Sequence, residues 1–169
     1  IIERAALQGI SAADLGDVMT RAMMEDSTAL GCRPPDVEPR ATGHIPEMIE
    51  IIRVLEKKGL AYRTGGDVYF DVSKDPHYGE LARLDLAAQA TGERIGGALE
   101  KHNAADFALW KFSAADGPRR EMEWDSPWGR GFPGWHIECS AMSVAHLAAR
   151  FDIHTGGSDH IPVHHTNEI

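Results

Sequence analysis

Residues 137–169 constrain the fold most tightly. Ile137, Ala141, Val144, Ala145 and Ala148 recur at helical spacing, so residues 137–150 read as a helix. Phe151-Asp152-Ile153-His154 then reads as a short strand, Thr155-Gly156-Gly157-Ser158-Asp159 as a turn, and a further helix begins near Pro162. Helix, strand, Gly-rich turn, helix is the α/β rhythm of a parallel sheet. Ligands of such sheets bind beyond the carboxyl ends of the strands. Six of the nine histidines (His136, His146, His154, His160, His164, His165) fall in the last 34 residues, which points to chemistry at this end of the chain.

Upstream, residues 11–30 read as a helix. Ser11 and Asp14 form a capping box with Asp in place of Glu, and Leu15, Val18, Met19, Ala22 and Met23 make an apolar stripe whose methionines are expected in a core. Gly31 ends it and Pro34-Pro35 prevents resumption. A second helix is expected from Ile45 to about Lys58, with Pro46 in its first turn and Gly59 after its end. Residues 60–72 read as a hairpin turning at Gly65-Gly66, because Val68, Phe70 and Val72 alternate with Asp67, Tyr69 and Asp71. Asp75-Pro76 marks a turn, residues 81–91 a short helix, 105–112 a mixed apolar segment and 113–134 a loop that Trp124, Trp128 and Trp135 staple to a core.

A chain of 169 residues is expected to form one domain, or one domain with an insertion. Its net charge of −9 argues against a broad nucleic-acid-binding surface, though not against a local contact with one RNA end. No apolar run is long enough to span a membrane. Cys32 and Cys139 do not make a disulfide scaffold, so a reduced, cytoplasmic setting is expected and Cys32 reads as an incidental loop thiol. The chain starts at Ile1 and its last helical pattern is cut at Ile169, so both ends read as truncated.

On a helix, His164 and Glu168 project from one face and can reach one metal ion, although such pairs also dress ordinary helix surfaces. Cys139 lies 25 residues before His164, one helix–strand–turn unit away, which can return a thiolate to the same place. Alone it could equally be a buried inert thiol. Cys, His and Glu are accepted zinc ligands, and three of them leave a coordination position open. The glycines at 156 and 157 let backbone approach a ligand and Asp159 can bond ribose hydroxyls, or the segment is a plain tight turn.

The residues Gly134-Trp135-His136-Ile137-Glu138-Cys139-Ser140-Ala141-Met142 resemble the GWHIECSAM motif of the cysteinyl-tRNA synthetases. Phe151-Asp152-Ile153-His154, Gly156-Gly157-Ser158-Asp159, His164-His165 and Asn167-Glu168-Ile169 are similar to that family's second block, FDIHGGGxDLxFPHHENEI. Residues 33–42, 66–72, 106–111 and 126–129 resemble further family stretches, so the likeness covers essentially the whole chain. Departures are Thr155 for Gly, Ile161-Pro162-Val163 for the apolar-Phe-Pro run, and Thr166 for Glu.

The resemblance implies an α/β fold, part of a Rossmann-like class I synthetase catalytic domain interrupted by an α+β connective insertion. It implies a helical segment over 1–30, the insertion over 31–125 and the second part of the nucleotide-binding domain over 126–169. The implied activity is activation of L-cysteine with ATP and its transfer to tRNA(Cys). The implied zinc ligands are Cys139, His164 and Glu168, with the substrate thiolate on the same ion and a further family cysteine nearer the N-terminus. Trp135 and His154 are implied as walls of the cysteine pocket, and Gly157 and Asp159 as the ATP side. Neither HIGH nor KMSKS occurs, so no catalytic residue is assigned and this segment alone is expected to be inactive. Two alternatives stand beside this reading: a mycothiol-pathway cysteine ligase of the same fold, from which residues 165–169 lean away, and a non-catalytic zinc-binding paralogue.

Overall fold

The computed structural model describes residues 1–84, 101–113 and 122–169. The chain forms two compact units, one of residues 1–38 and 113–123, the other of residues 39–112 and 124–169. In the first unit, helix α1 (Ile2–Gln8) precedes helix α2 (Ala12–Ala29). The expected cap is present: Ser11 Oγ accepts from the Asp14 amide at 3.0 Å and donates to the Asp14 carboxylate at 2.7 Å. Ala5, Ala12 and Leu15 form the buried cluster, with Ile2 and Met122 against it. The methionine stripe is not core, for Met19, Met23 and Met24 are exposed. Only the first turns of α2 meet α1, so the apolar face beyond Leu15 has no partner among the described residues of that cluster.

The second unit is built on a four-stranded sheet in sequence order. Its strands are β1 (Ala61–Thr64), β2 (Asp67–Phe70), β3 (Phe107–Lys111) and β4 (Phe132–Pro133), and every pairing is antiparallel. β1 and β2 are the expected hairpin, closed at Gly65-Gly66, and the mixed apolar segment supplies β3. Helix α3 (Ile45–Lys57) presents Ile45, Met48 and Ile52, three apolar residues along one face, to Val68, Leu109 and Trp110. Met48, Ile52, Val68 and Trp110 are fully buried. Burial of each such side chain stabilises by roughly 1.5–3 kcal/mol. Helix α4 (Trp135–His146) adds Ile137 and Ala141 to the same core. Trp124 and Trp128 pack against it as expected, and Trp128 Nε1 donates to Glu56 at 2.8 Å.

The start of α4 is set by a missing side chain. A Cβ on Gly134 would sit 1.9 Å from the Ala108 carbonyl oxygen, and the Gly134 amide donates to Leu109 O at 2.9 Å. Only glycine lets the helix begin directly against β3.

Three expectations need correction. Phe151–His154 is not a strand: Ile153 is 77% exposed, and no neighbouring strand among the described residues pairs with the segment. A parallel strand exists only where neighbours satisfy its backbone groups. The sheet formed is accordingly antiparallel, without the parallel pairing that the residue rhythm suggested. Helix α4 stops at His146 instead of residue 150, because Val144 and Leu147 find no apolar surface to cover and stay exposed. The expected helix at 81–91 lies mostly outside the described residues, and 81–84 are turn. No described helix is long and apolar enough to cross a membrane.

A buried carboxylate locks the segment before β3. Asp106 is 1% exposed and accepts from Tyr62 Oη at 2.7 Å, the Val72 amide at 3.0 Å and the Asn103 amide at 2.9 Å. Removing it strands several donors, each costing about 1–3 kcal/mol when left unpaired. Asp106→Ala in the full-length protein is therefore expected to lower unfolding free energy by about 3 kcal/mol or more, measured by urea denaturation. Beside it, burial raises the Asp71 carboxyl, but hydrogen bonds from Ser73 and His102 outweigh this and hold it below its ordinary value. A depressed carboxyl contributes stability that is full above its unfolded value and is lost as pH falls through its folded value. Asp71→Asn should thus flatten the acid limb of the stability–pH curve; an unchanged limb would show that Asp71 carries none of it.

Candidate metal centre

Three short segments meet at one end of the second unit. Helix α4 carries Cys139 in its second turn. A single wide turn, Ile161–His165, with i→i+5 bonding, carries His164, and helix α5 (Thr166–Glu168) carries Glu168. The wide turn is closed by Thr166 Oγ1 donating to Ile161 O at 2.8 Å. Ser140 Oγ donates to Glu168 O at 3.1 Å and Tyr78 Oη donates to Asn167 Oδ1 at 2.7 Å, which pins α5 to its neighbours.

The result brings the expected donors together. One ligand atom each from Cys139, His164 and Glu168 lies within 4.8 Å of the others. His164 Nε2 and Glu168 Oε1 are 3.1 Å apart, yet Oε1 is buried and makes no hydrogen bond. A buried carboxylate oxygen without a partner is costly. A cation among sulfur, nitrogen and oxygen would satisfy it, and that donor set suits zinc better than magnesium or calcium.

The charges follow from packing. Burial raises Glu168, but the hydrogen bonds of His165 and His154 and the nearby His164 outweigh it, so the carboxyl sits below its ordinary value and is ionised. Burial first, and then the negative Glu168, push the Cys139 thiol up to about 11. Without a cation the sulfur keeps its proton; a metal ligand must lose it. Burial lowers His164, and burial with His164 lowers His136 to about 4, so His136 is neutral near pH 7.

His136 was not singled out by sequence reasoning, though it lies in the histidine cluster. Its Nδ1 is 2.9 Å from His164 Nδ1. If His164 gives Nε2 to a cation, its Nδ1 keeps the hydrogen and donates it to His136, which fixes the ring and its tautomer. Trp135 is 54% exposed and stacks on His164 at 4.4 Å and 15°. His154 Nε2 and His165 Nδ1 each donate to Glu168 Oε2 at 2.8 Å. Cys139, His154, Gly156, His165 and Glu168 line one cavity of about 820 Å³. Gly157 and Asp159 are not among its lining residues; the Asp159 carboxylate folds back over Gly157, where a Cβ would meet its Oδ1. Cys32 is exposed, and no described cluster of metal-binding side chains includes it.

The sheet and α4 thus set the Cys139 thiol beside the imidazoles of His154 and His165 and the Glu168 carboxylate on one cavity. Residues 1–169 match the class I (C) tRNA synthetase catalytic domain, and the chain belongs to that family. Among its relatives, Cysteine--tRNA ligase 1 of Burkholderia lata is 56% identical over 152 residues, 89% of this chain and 32% of the relative. The Cysteine--tRNA ligase of Methylocella silvestris is 51% identical over 98% of this chain and 36% of the relative, and that of Treponema denticola 46% over 100% and 34%. The chain thus spans about a third of the length of the curated relatives it matches.

If His136 orients His164, His136→Ala should weaken zinc binding by about 10–100-fold, the usual loss for a partner of a ligating histidine. Competition against a chromophoric chelator checks this, and unchanged affinity would remove His136 from the centre.

Proposed function

We propose that this chain works within a cysteine–tRNA ligase, activating L-cysteine with ATP and transferring it to tRNA(Cys). The observation that carries the reading is the convergence of Cys139, His164 and the unbonded Oε1 of Glu168. Bound there, zinc would supply a soft Lewis-acid centre that favours a thiolate over a hydroxyl. Cysteine and serine differ little in shape, so a plain pocket separates them poorly.

The chain's own residues do the rest. Cys139, His164 and Glu168 would hold the ion, and His136 would keep His164 in the ligating tautomer. Trp135 and His154 wall the amino-acid pocket, with the indole seated on the His164 ring. Gly157 and Asp159 form the ATP side, where glycine backbone approaches phosphate and a carboxylate meets ribose. The architecture we assign is a helical segment over 1–30 leading from the nucleotide-binding fold, a connective insertion over 31–125, and the second part of a Rossmann-like catalytic domain over 126–169. Contact with tRNA is local, in keeping with the net charge of −9. The location we assign is cytoplasmic, on the reduced setting that two free cysteines, Cys32 and Cys139, suit.

The test is cysteine-dependent ATP–pyrophosphate exchange by the full-length enzyme. Cys139→Ala should lower it by at least about 100-fold, more than the loss expected for an outer partner of a ligand. Chelation should abolish exchange and zinc restore it; exchange that survives metal removal would overturn the zinc reading.

A further inference from the structure

The two oxygens of Glu168 face different donor sets. Oε1 lies 3.1 Å from His164 Nε2, in the set that includes Cys139; Oε2 accepts from His154 Nε2 and His165 Nδ1, each at 2.8 Å. Donor atoms of His154, His165 and Glu168 lie within 4.8 Å of one another, as those of the first set do. The two imidazoles come from separate segments, and each ring is held. His154 packs edge-on against His165 with centroids 4.9 Å apart and against Phe151 at 5.9 Å. His165 lies close to Gly156, where a Cβ would meet Nε2 at 2.5 Å, so a side chain at 156 would displace the ring; its Nδ1 faces the carboxylate.

A neutral imidazole that exchanges tautomer offers a lone pair at the nitrogen that now carries the N–H, so either ring can become a ligand without moving. Two imidazoles and one carboxylate oxygen are a recognised zinc set with a position left open. Access is available: the His154 side chain is 39% exposed, and His154, His165 and Glu168 line the same cavity as Cys139. A carboxylate that bridges two cations about 3.5–4 Å apart is a common arrangement of paired metal sites.

We infer that His154, His165 and Glu168 Oε2 form a second divalent-cation site sharing its carboxylate with the Cys139–His164–Glu168 centre, and that zinc in excess fills it and inhibits. The second ion is the weaker, because it has no thiolate and lies beside a filled dication. Filling it takes His154 and part of the cavity away from the amino acid. The inhibitory half rests on the function proposed above; the site itself does not.

Metal-free full-length protein should be titrated with Co²⁺ and with Zn²⁺. Bound metal and the thiolate-to-cobalt charge-transfer absorption are followed together. Wild type is expected to take two ions, only the first of which contributes the thiolate band. His165→Gln and His154→Gln should each lose the second ion and keep the band. Cys139→Ser should weaken the band, since one of the first site's thiolates is gone, and keep the second ion, which a further His165→Gln change removes. A wild type that saturates at one ion, or both histidine variants still taking two, would overturn the proposal. Absence of the band in wild type together with a His165-dependent ion would sink the Cys139 reading and leave this site standing. Excess zinc should slow wild-type exchange, and exchange indifferent to the filled second site would overturn the inhibitory half.

Discussion

The contact of Gly134 with the Ala108 carbonyl governs the rest of the centre. It fixes where α4 begins, and helix geometry then determines where Cys139 projects, one turn and a half further on. The support beneath is rigid: Leu109 and Trp110 in β3 are buried among Met48, Ile52 and Val68, so the carbonyl that receives Gly134 cannot drift without disturbing the core. A methyl group at 134 would lift the helix off the strand and carry the thiol away from His164 and Glu168.

Around that thiol the electrostatics are unusually one-sided. A neutral His136, a half-buried protonated thiol and an ionised carboxylate lie close together, and the imidazole hydrogen bonds to the Glu168 carboxylate, from His154 and His165, both fall on Oε2 while Oε1 has none. The pocket therefore holds negative charge that protein dipoles do not fully balance. A divalent cation held there would offset that imbalance, and the Cys139 proton would be released to solvent as the sulfur became a ligand, which would couple metal affinity to pH and to local order.

Much of this was legible in residue order. The Ser11 cap, the α3 stripe and the Gly65-Gly66 hairpin follow from local chemistry, which acts within a few residues and shows in the sequence directly. The meeting of Cys139, His164 and Glu168 was also legible, though from the family motif that joins them; their spacing alone left an ordinary surface pair and an inert thiol open. The Phe151–His154 strand was not realised, because strand formation is decided by neighbours and not by the segment itself. The methionines of α2 misled for the same reason: an apolar stripe states a need for cover without naming what covers it. His136 and His165 went unassigned because their roles depend on ring orientation, which only the packing of His164 and Gly156 reveals.

Helix α5 is a single turn of three residues, too short to persist on its own propensity. Tertiary bonds hold it: Ser140 from α4, Thr166 back to Ile161, and Tyr78 to Asn167. The last of these matters most for organisation, because Tyr78 follows the hairpin and lies well within the stretch assigned to the connective insertion. Its phenol reaches the residue next to Glu168. Residues far from the ligands in sequence thus help hold a ligand in place, and the same unit contains the hairpin, β3 and the centre. Under the domain division proposed above, this bond would give the insertion a part in stiffening the turn that carries His164 and Glu168.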